Sequence, residues 1–277
     1  MGEVSAISWT RSTFNPWIGC TKVGPGCDHC YAENQDSRKR WGGTTHWGAG
    51  VPRHRTSVSN WNGPGKWNKK AGETGEFWPV FCASLADVFD NEVPQQWRDD
   101  LFAVVEATPH LTWQLCTKRI GNVMSMVPDR WREGFPPNVW QLATIVNQAE
   151  LERDGEKLAA IPAVVRAVSY EPAIEQIDWT GWFPRLNWVI VGGESAQSAP
   201  ARPFNIQWAL ETIEQCRKQG VAVFVKQLGS NVYADGEQSR LYPPLQDRAG
   251  ADPNEWPTAM RVQEFPNNRS PRGGITG

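Results

Sequence analysis

Cys20, Cys27 and Cys30 stand within eleven residues, in the stretch IGCTKVGPGCDHCYAEN, and make up half of the chain's six cysteines. Three thiols are an odd number for disulfides, and a structural zinc site asks for four protein ligands. His29 lies between two of the cysteines and is too constrained to be the obvious fourth ligand; His46, His54 and Cys82 are distant donors. Iron–sulfur cubanes are held by closely spaced thiolates. A four-iron cluster with three protein ligands leaves one iron open, and an open iron can bind a substrate or a cofactor. Cys82, Cys116 and Cys216 sit in apolar or helical contexts and read as small buried hydrophobes.

Other chemistry-bearing residues follow short apolar runs. Glu194 comes directly after Gly192 and Gly193. Glycines let a backbone approach a ligand closely, and a carboxylate there can bind an amine or a ribose hydroxyl; its plainer task is to cap a turn. Glu171, before Pro172, is a similar strand-end acid. Lys118 and Arg119 can hold a carboxylate or phosphate, or pair internally with Glu171 or Glu194. Lys226 falls within a strand, and a buried lysine needs a partner or a ligand. Asp87, Asn15 and Asn147 can donate or accept hydrogen bonds in a pocket, or equally stabilise loops.

The elements that must carry these residues alternate. Apolar runs at 77–84, 111–117, 139–146, 163–171, 186–193 and 221–229 read as strands, with a short one expected within 5–19. Helical spacing marks 31–40, 94–108, 147–161 and 204–220, the last closed by a glycine stop. Such alternation implies an α/β fold with a parallel sheet, either doubly wound or a partial or complete (β/α) barrel. Both gather ligands beyond the carboxyl ends of the strands. There the sequence places the cysteine loop, SLAD, TKR, NQ, SYEP, GGES and KQLG. Domain bounds are set at 1–232 for the barrel, with an insertion at 37–76, and at 233–277 for a Pro/Gly/Arg-rich extension that packs on the barrel or is partly disordered.

The chain has 277 residues, a formal net charge of -2 and 16 tryptophans. Total charge argues neither for nor against nucleic acid, but its distribution is uneven. Residues 37–70 hold eight Lys or Arg, no acid, and tryptophans 41, 47, 61 and 67, in an irregular Gly- and Asn-rich segment. Basic groups neutralise backbone phosphates and aromatics stack on bases, so Arg53, Arg55, Trp61 and Trp67 are candidate substrate contacts. The alternative is a small structured core with charges facing water. The amino terminus lacks the basic start and apolar run of a signal peptide, and no stretch nears the roughly 18 apolar residues of a membrane span. A cytoplasmic location is expected, where clustered cysteines mean metal or redox chemistry.

The opening NPWIGCTKVGPGCDHCYAE, followed in order by LCTKR, SYEP, VIVGGES and FVKQLG, resembles the phage Gp37/Gp68-type (DUF5131-like) family, a divergent branch similar to radical S-adenosylmethionine (SAM) enzymes. The resemblance implies a radical SAM-type barrel in which Cys20, Cys27 and Cys30 ligate a [4Fe–4S] cluster and SAM chelates the open iron. It implies cofactor contacts from His29, Asn15, Gly192, Gly193 and Glu194, and an external one-electron reductant. Glu171, Lys118 and Lys226 become catalytic candidates; Arg119, Arg53, Arg55, Trp61, Trp67, Asp87 and Asn147 become substrate contacts. Two features depart from the pattern. The first cysteine gap is six residues where three is usual, and LATIVNQ lacks the glutamate of related GVTVENQ-like segments. The phage setting, host cytoplasm included, suggests DNA or a modified nucleotide as partner, and isomerisation of an amino-acid-bearing thymine as the reaction. Radical repair of a DNA lesion and a nucleic-acid-binding protein with structural zinc are the alternatives.

Overall fold

A computed structural model describes residues 2–183, 185–196, 199–235, 239–240 and 244–267. Seven strands form its main sheet: β1 (Ser12–Phe14), β2 (Pro79–Cys82), β3 (Thr112–Thr117), β4 (Val139–Thr144), β5 (Val165–Tyr170), β6 (Trp188–Gly192) and β7 (Ala222–Gln227). They lie side by side in chain order and every neighbouring pair is parallel. Crossovers between parallel strands are right-handed. An order that never reverses therefore keeps the crossovers on one face, whereas a doubly wound sheet reverses and covers both. The fold is a partial (β/α) barrel. The flanking helices are α1 (Tyr31–Lys39), α2 (Gly63–Thr74), α3 (Gln95–Ala107), α4 (Gln148–Ala159) and α5 (Ile206–Gln219).

Side chains alternate across a strand, and two separate cores follow from that period. The outer core joins Val80, Leu115, Val168, Val191 and Val225 of the strands to Leu101, Val105, Leu151, Leu158 and Ile213 of the helices. The inner core holds Trp140 and Leu142 of β4, Val165 and Ala167 of β5, Trp188 and Ile190 of β6, and Phe224 of β7. Trp9 closes this inner layer from the amino-terminal segment: its ring lies 4.7 Å from Phe81 and 6.2 Å from Trp188. Aromatic side chains thus fill the amino-terminal half of the barrel interior. The next inner positions are Thr144 of β4, Ser169 of β5 and Lys226 of β7, which are polar, with Cys116 of β3 beside them. The exposed edge of β7 is covered by the chain near residue 263, through Val225 N donating to Val262 O and Glu264 N donating to Val223 O. Covering an edge in this way removes a template for strand addition.

The segment expected to be irregular contains a three-turn helix, α2. Pro64 opens it and Gly75, at φ 67°, closes it in the left-handed conformation. Gly63 and Gly65 hide the periodicity, but Trp67 and Ala71 are four apart and both buried. No helix among the described residues is long and apolar enough to cross a membrane.

Candidate functional site

The polar inner positions open into a cavity of about 490 Å³ at the carboxyl ends of the strands. Cys20, Cys27 and Cys30 all line it, facing Cys116, Lys118, Glu171 and Lys226. All three cysteines are free. The loop carrying them leaves the first strand through Gly19, whose φ of 113° and whose contact with the His46 backbone (2.3 Å for a Cβ placed there) both require glycine. Helix α1 begins directly after, with Cys30 as its N-cap residue.

The strand-end acids and bases meet as pairs. Lys226 Nζ lies 2.9 Å from Glu171 Oε1, and Ser169 Oγ donates to Glu171 Oε2 at 3.2 Å. His29 Nδ1 lies 2.8 Å from Glu194 Oε2, and Arg202 grips both oxygens of Glu194 through its backbone N (2.9 Å) and Nη2 (2.7 Å). Burial pushes the Glu194 carboxyl up, but the Arg202 and His29 hydrogen bonds outweigh it and hold the group below the usual carboxylate range. Arg202 Nη1 also donates to Pro25 O at 2.8 Å, which ties the GGES segment to the cysteine loop. Asp87 accepts from Thr117 Oγ1 at 2.7 Å and Lys118 N at 3.1 Å, locking the end of β3.

Arg119 turns to the cysteine loop. Its Nη1 donates to Cys20 Sγ at 3.3 Å, and its Nη2 to Thr21 O at 2.7 Å. Burial, then Asp87, push the Cys20 thiol up to about 12, with Arg119 pulling the other way; burial also raises Cys30. Burial disfavours the Lys118 charge, yet Cys27, Cys116, Cys30 and Asp87 together raise it above its ordinary value.

Among the described residues, no three His, Cys, Asp or Glu side chains converge closely enough to hold a single metal ion. A cubane asks for something else, because its thiolates occupy separate corners. Three free thiols around one cavity, with cations beside them to offset thiolate charge, fit that donor set. They do not form a four-ligand zinc cage.

A family model described as Protein of unknown function (DUF5131) matches residues 4–263. The chain is a DUF5131 protein. That agrees with the family read from the opening motif, and the match spans every strand of the barrel. None of the curated proteins matches it. Among solved structures, this DUF5131 chain is similar to a mutant spore photoproduct lyase with bound AdoMet and dinucleoside spore photoproduct. Identity is 12% and the TM-score 0.42, and the match covers 79% of this chain and 56% of that one. The chain therefore spans little more than half the length of that lyase.

Several residues expected at the site lie elsewhere in the DUF5131 fold. Arg53 is buried, bonded to Asp90 Oδ2 at 2.8 Å and to the carbonyls of His46, Gly48 and Val51. Arg55 pairs with Asp100 at 2.7 Å and stacks on Trp61. Trp61 donates from Nε1 to Pro16 O, and Trp67 belongs to the outer core. These four are structural contacts of the insertion, and none lines the cavity. Asn147 caps α4, accepting from Glu150 N at 2.8 Å. Asn15 stands behind the cavity wall, donating to Ser84 Oγ and accepting from Leu85 N. Gly193 lines the cavity, and a Cβ there would sit 2.1 Å from Leu228 O. Gly192 faces Glu171, with 3.1 Å from such a Cβ to Oε1.

Three residues were missed by sequence reasoning. Cys116, expected as a core hydrophobe, lines the cavity with Sγ 3.4 Å from Thr144 Oγ1. The inner-face parity of β3 carried that signal: Cys116 is two residues before Lys118. Tyr31, one residue after Cys30, lines the cavity and donates to Ser84 O at 2.6 Å. Arg202 has no signal of its own, because its partners lie 8 and 177 residues away.

Proposed function

We propose that this protein is a radical SAM enzyme, with Cys20, Cys27 and Cys30 as ligands of a [4Fe–4S] cluster. The observation that carries the reading is the shared cavity, where three free cysteines meet the Glu171–Lys226 and Glu194–His29 pairs at the carboxyl ends of parallel strands. Such a cluster, if bound and reduced there, would supply the one electron that cleaves SAM to methionine and a 5′-deoxyadenosyl radical.

The chain's own residues bind, orient and shield. Glu194, gripped by Arg202, fixes the His29 ring at the cavity wall. Glu171 and Lys226 offer an adjacent carboxylate and ammonium, which suit the amine and carboxylate of an amino-acid group. Trp9 and Phe81 close the cavity floor and keep water away from it. For substrate, we propose the isomerisation of an amino-acid-bearing thymine in phage DNA. This rests on the resemblance to phage-encoded proteins and on the Glu171–Lys226 pair, and not on Arg53 or Trp67, which are buried in the fold.

The test is turnover. Anaerobically reconstituted, reduced protein is incubated with SAM and DNA carrying amino-acid-modified thymine, then assayed for 5′-deoxyadenosine and for nucleosides by mass spectrometry. The proposal expects SAM cleavage and a nucleoside of unchanged mass but new retention time. SAM cleavage with no altered nucleoside would remove DNA as substrate. Absence of cleavage by iron-loaded protein would remove the radical SAM reading.

A further inference from the structure

At the end of β3, Lys118 was expected to be catalytic and Arg119 to contact substrate; both side chains turn toward the cysteines. Arg119 is 8% exposed and stands against two buried acids, Asp87 Oδ2 at 3.2 Å and Asp90 Oδ1 at 3.8 Å. Asp87 is held in turn by Thr117 Oγ1 and by the Lys118 and Phe89 backbone amides. A guanidinium clamped in this way cannot swing out to solvent. Its hydrogen bonds go to Cys20 Sγ at 3.3 Å and to the carbonyl of the next residue, Thr21, at 2.7 Å. Both lie on the cysteine loop, so Arg119 fixes the first cysteine by its side chain and its backbone together.

Lys118 serves the other end of the loop. Its side chain runs past Gly26, where a Cβ would come within 3.2 Å of Cε, and it lines the same cavity as Cys27 and Cys30. One strand end thus delivers a hydrogen-bonding cation to Cys20 and a second cation beside Cys27 and Cys30. Reduction potentials of iron–sulfur clusters are set by net charge, hydrogen bonds to sulfur and solvent exposure. Reduction adds one negative charge, and nearby cations in a buried site favour the more negative state.

We infer that Lys118 and Arg119 form the electrostatic seat of the cysteine site: Arg119 positions Cys20, and the two cations together raise the reduction potential of the bound cluster. The inference rests on the cluster reading proposed above. It makes Arg119 a positioning residue.

The experiment is a redox titration of the anaerobically reconstituted full chain, followed by electron paramagnetic resonance, beside iron content and thermal melting. Arg119→Gln and Lys118→Met each shift the midpoint potential to more negative values, and Arg119→Lys, which keeps charge but loses the fork, falls between Arg119→Gln and wild type. An Arg119→Gln protein that melts like wild type yet takes up less than half the iron also supports the positioning of Cys20. Full iron content with unchanged potentials in Arg119→Gln and Lys118→Met overturns the inference while leaving the cluster reading intact. If Arg119→Gln does not fold, Lys118→Met and Arg119→Lys decide by the same criterion. Wild-type protein that binds no iron ends the cluster reading and the inference with it.

Discussion

Replacing Arg53 with methionine separates a structural arginine from a nucleic-acid contact. The guanidinium is fully buried, with Nε 2.8 Å from Asp90 Oδ2. It also donates to Thr21 Oγ1 at 2.7 Å and to three carbonyls, of His46, Gly48 and Val51, between 2.8 and 3.1 Å. Arg53→Met leaves Asp90, itself 2% exposed, as a buried charge and strands those carbonyls. Breaking one side of a buried ion pair costs about 3–5 kcal/mol. Arg119, 3.8 Å from the other Asp90 oxygen, still offsets part of the charge, so about 3 kcal/mol is expected here. Urea unfolding followed by tryptophan fluorescence and circular dichroism measures it. The double variant Arg53→Met/Asp90→Asn should recover at least about 1 kcal/mol, because it removes the orphaned charge. A loss below about 1 kcal/mol in Arg53→Met, together with weakened DNA binding, would refute the structural assignment.

Three further outcomes follow from the same contacts. Asn147→Ala should cost about 1 kcal/mol, the usual worth of an N-cap, because Glu150 N loses its acceptor; urea unfolding with no loss of stability would contradict this. Gly193→Ala should cost roughly 1–3 kcal/mol or more from overpacking, since its Cβ would meet the Leu228 backbone; a wild-type melting temperature would contradict this. Glu194 has a depressed carboxyl, so its contribution is present above the ordinary carboxylate value and fades as pH falls through the lower folded-state value. The stability gap between wild type and Glu194→Gln should therefore close on acidification, and a gap independent of pH would show that the carboxylate charge is not its source.

The strands were legible because they are buried on both faces and read as apolar runs, as in WVIVG of β6. Their parity turns Glu171, Lys118 and Lys226 toward one cavity, and the same parity carries Cys116, which its apolar neighbours disguised as a core residue. Pairing was not, because it depends on which distant strand ends meet. Lys226 finds Glu171 across the barrel mouth, and Arg119 finds Cys20 from 99 residues away. The contacts of the basic insertion were hidden for a physical reason. Sequence shows its cations but not their partners: Asp90 for Arg53, Asp100 for Arg55 and Glu3 for Lys70 all lie outside it. Its helix was hidden because Gly63 and Gly65 dilute the apolar spacing that Trp67 and Ala71 preserve.

The most direct test of the cysteine site is metal analysis of anaerobically reconstituted protein, with electron paramagnetic resonance of its reduced form before and after adding SAM. The account predicts brown protein holding about four iron and four sulfide per chain, a cubane spectrum that changes when SAM binds, and loss of both in Cys30→Ala. Colourless protein holding one tightly bound zinc, or a Cys30→Ala variant with full iron and an unchanged spectrum, would contradict it.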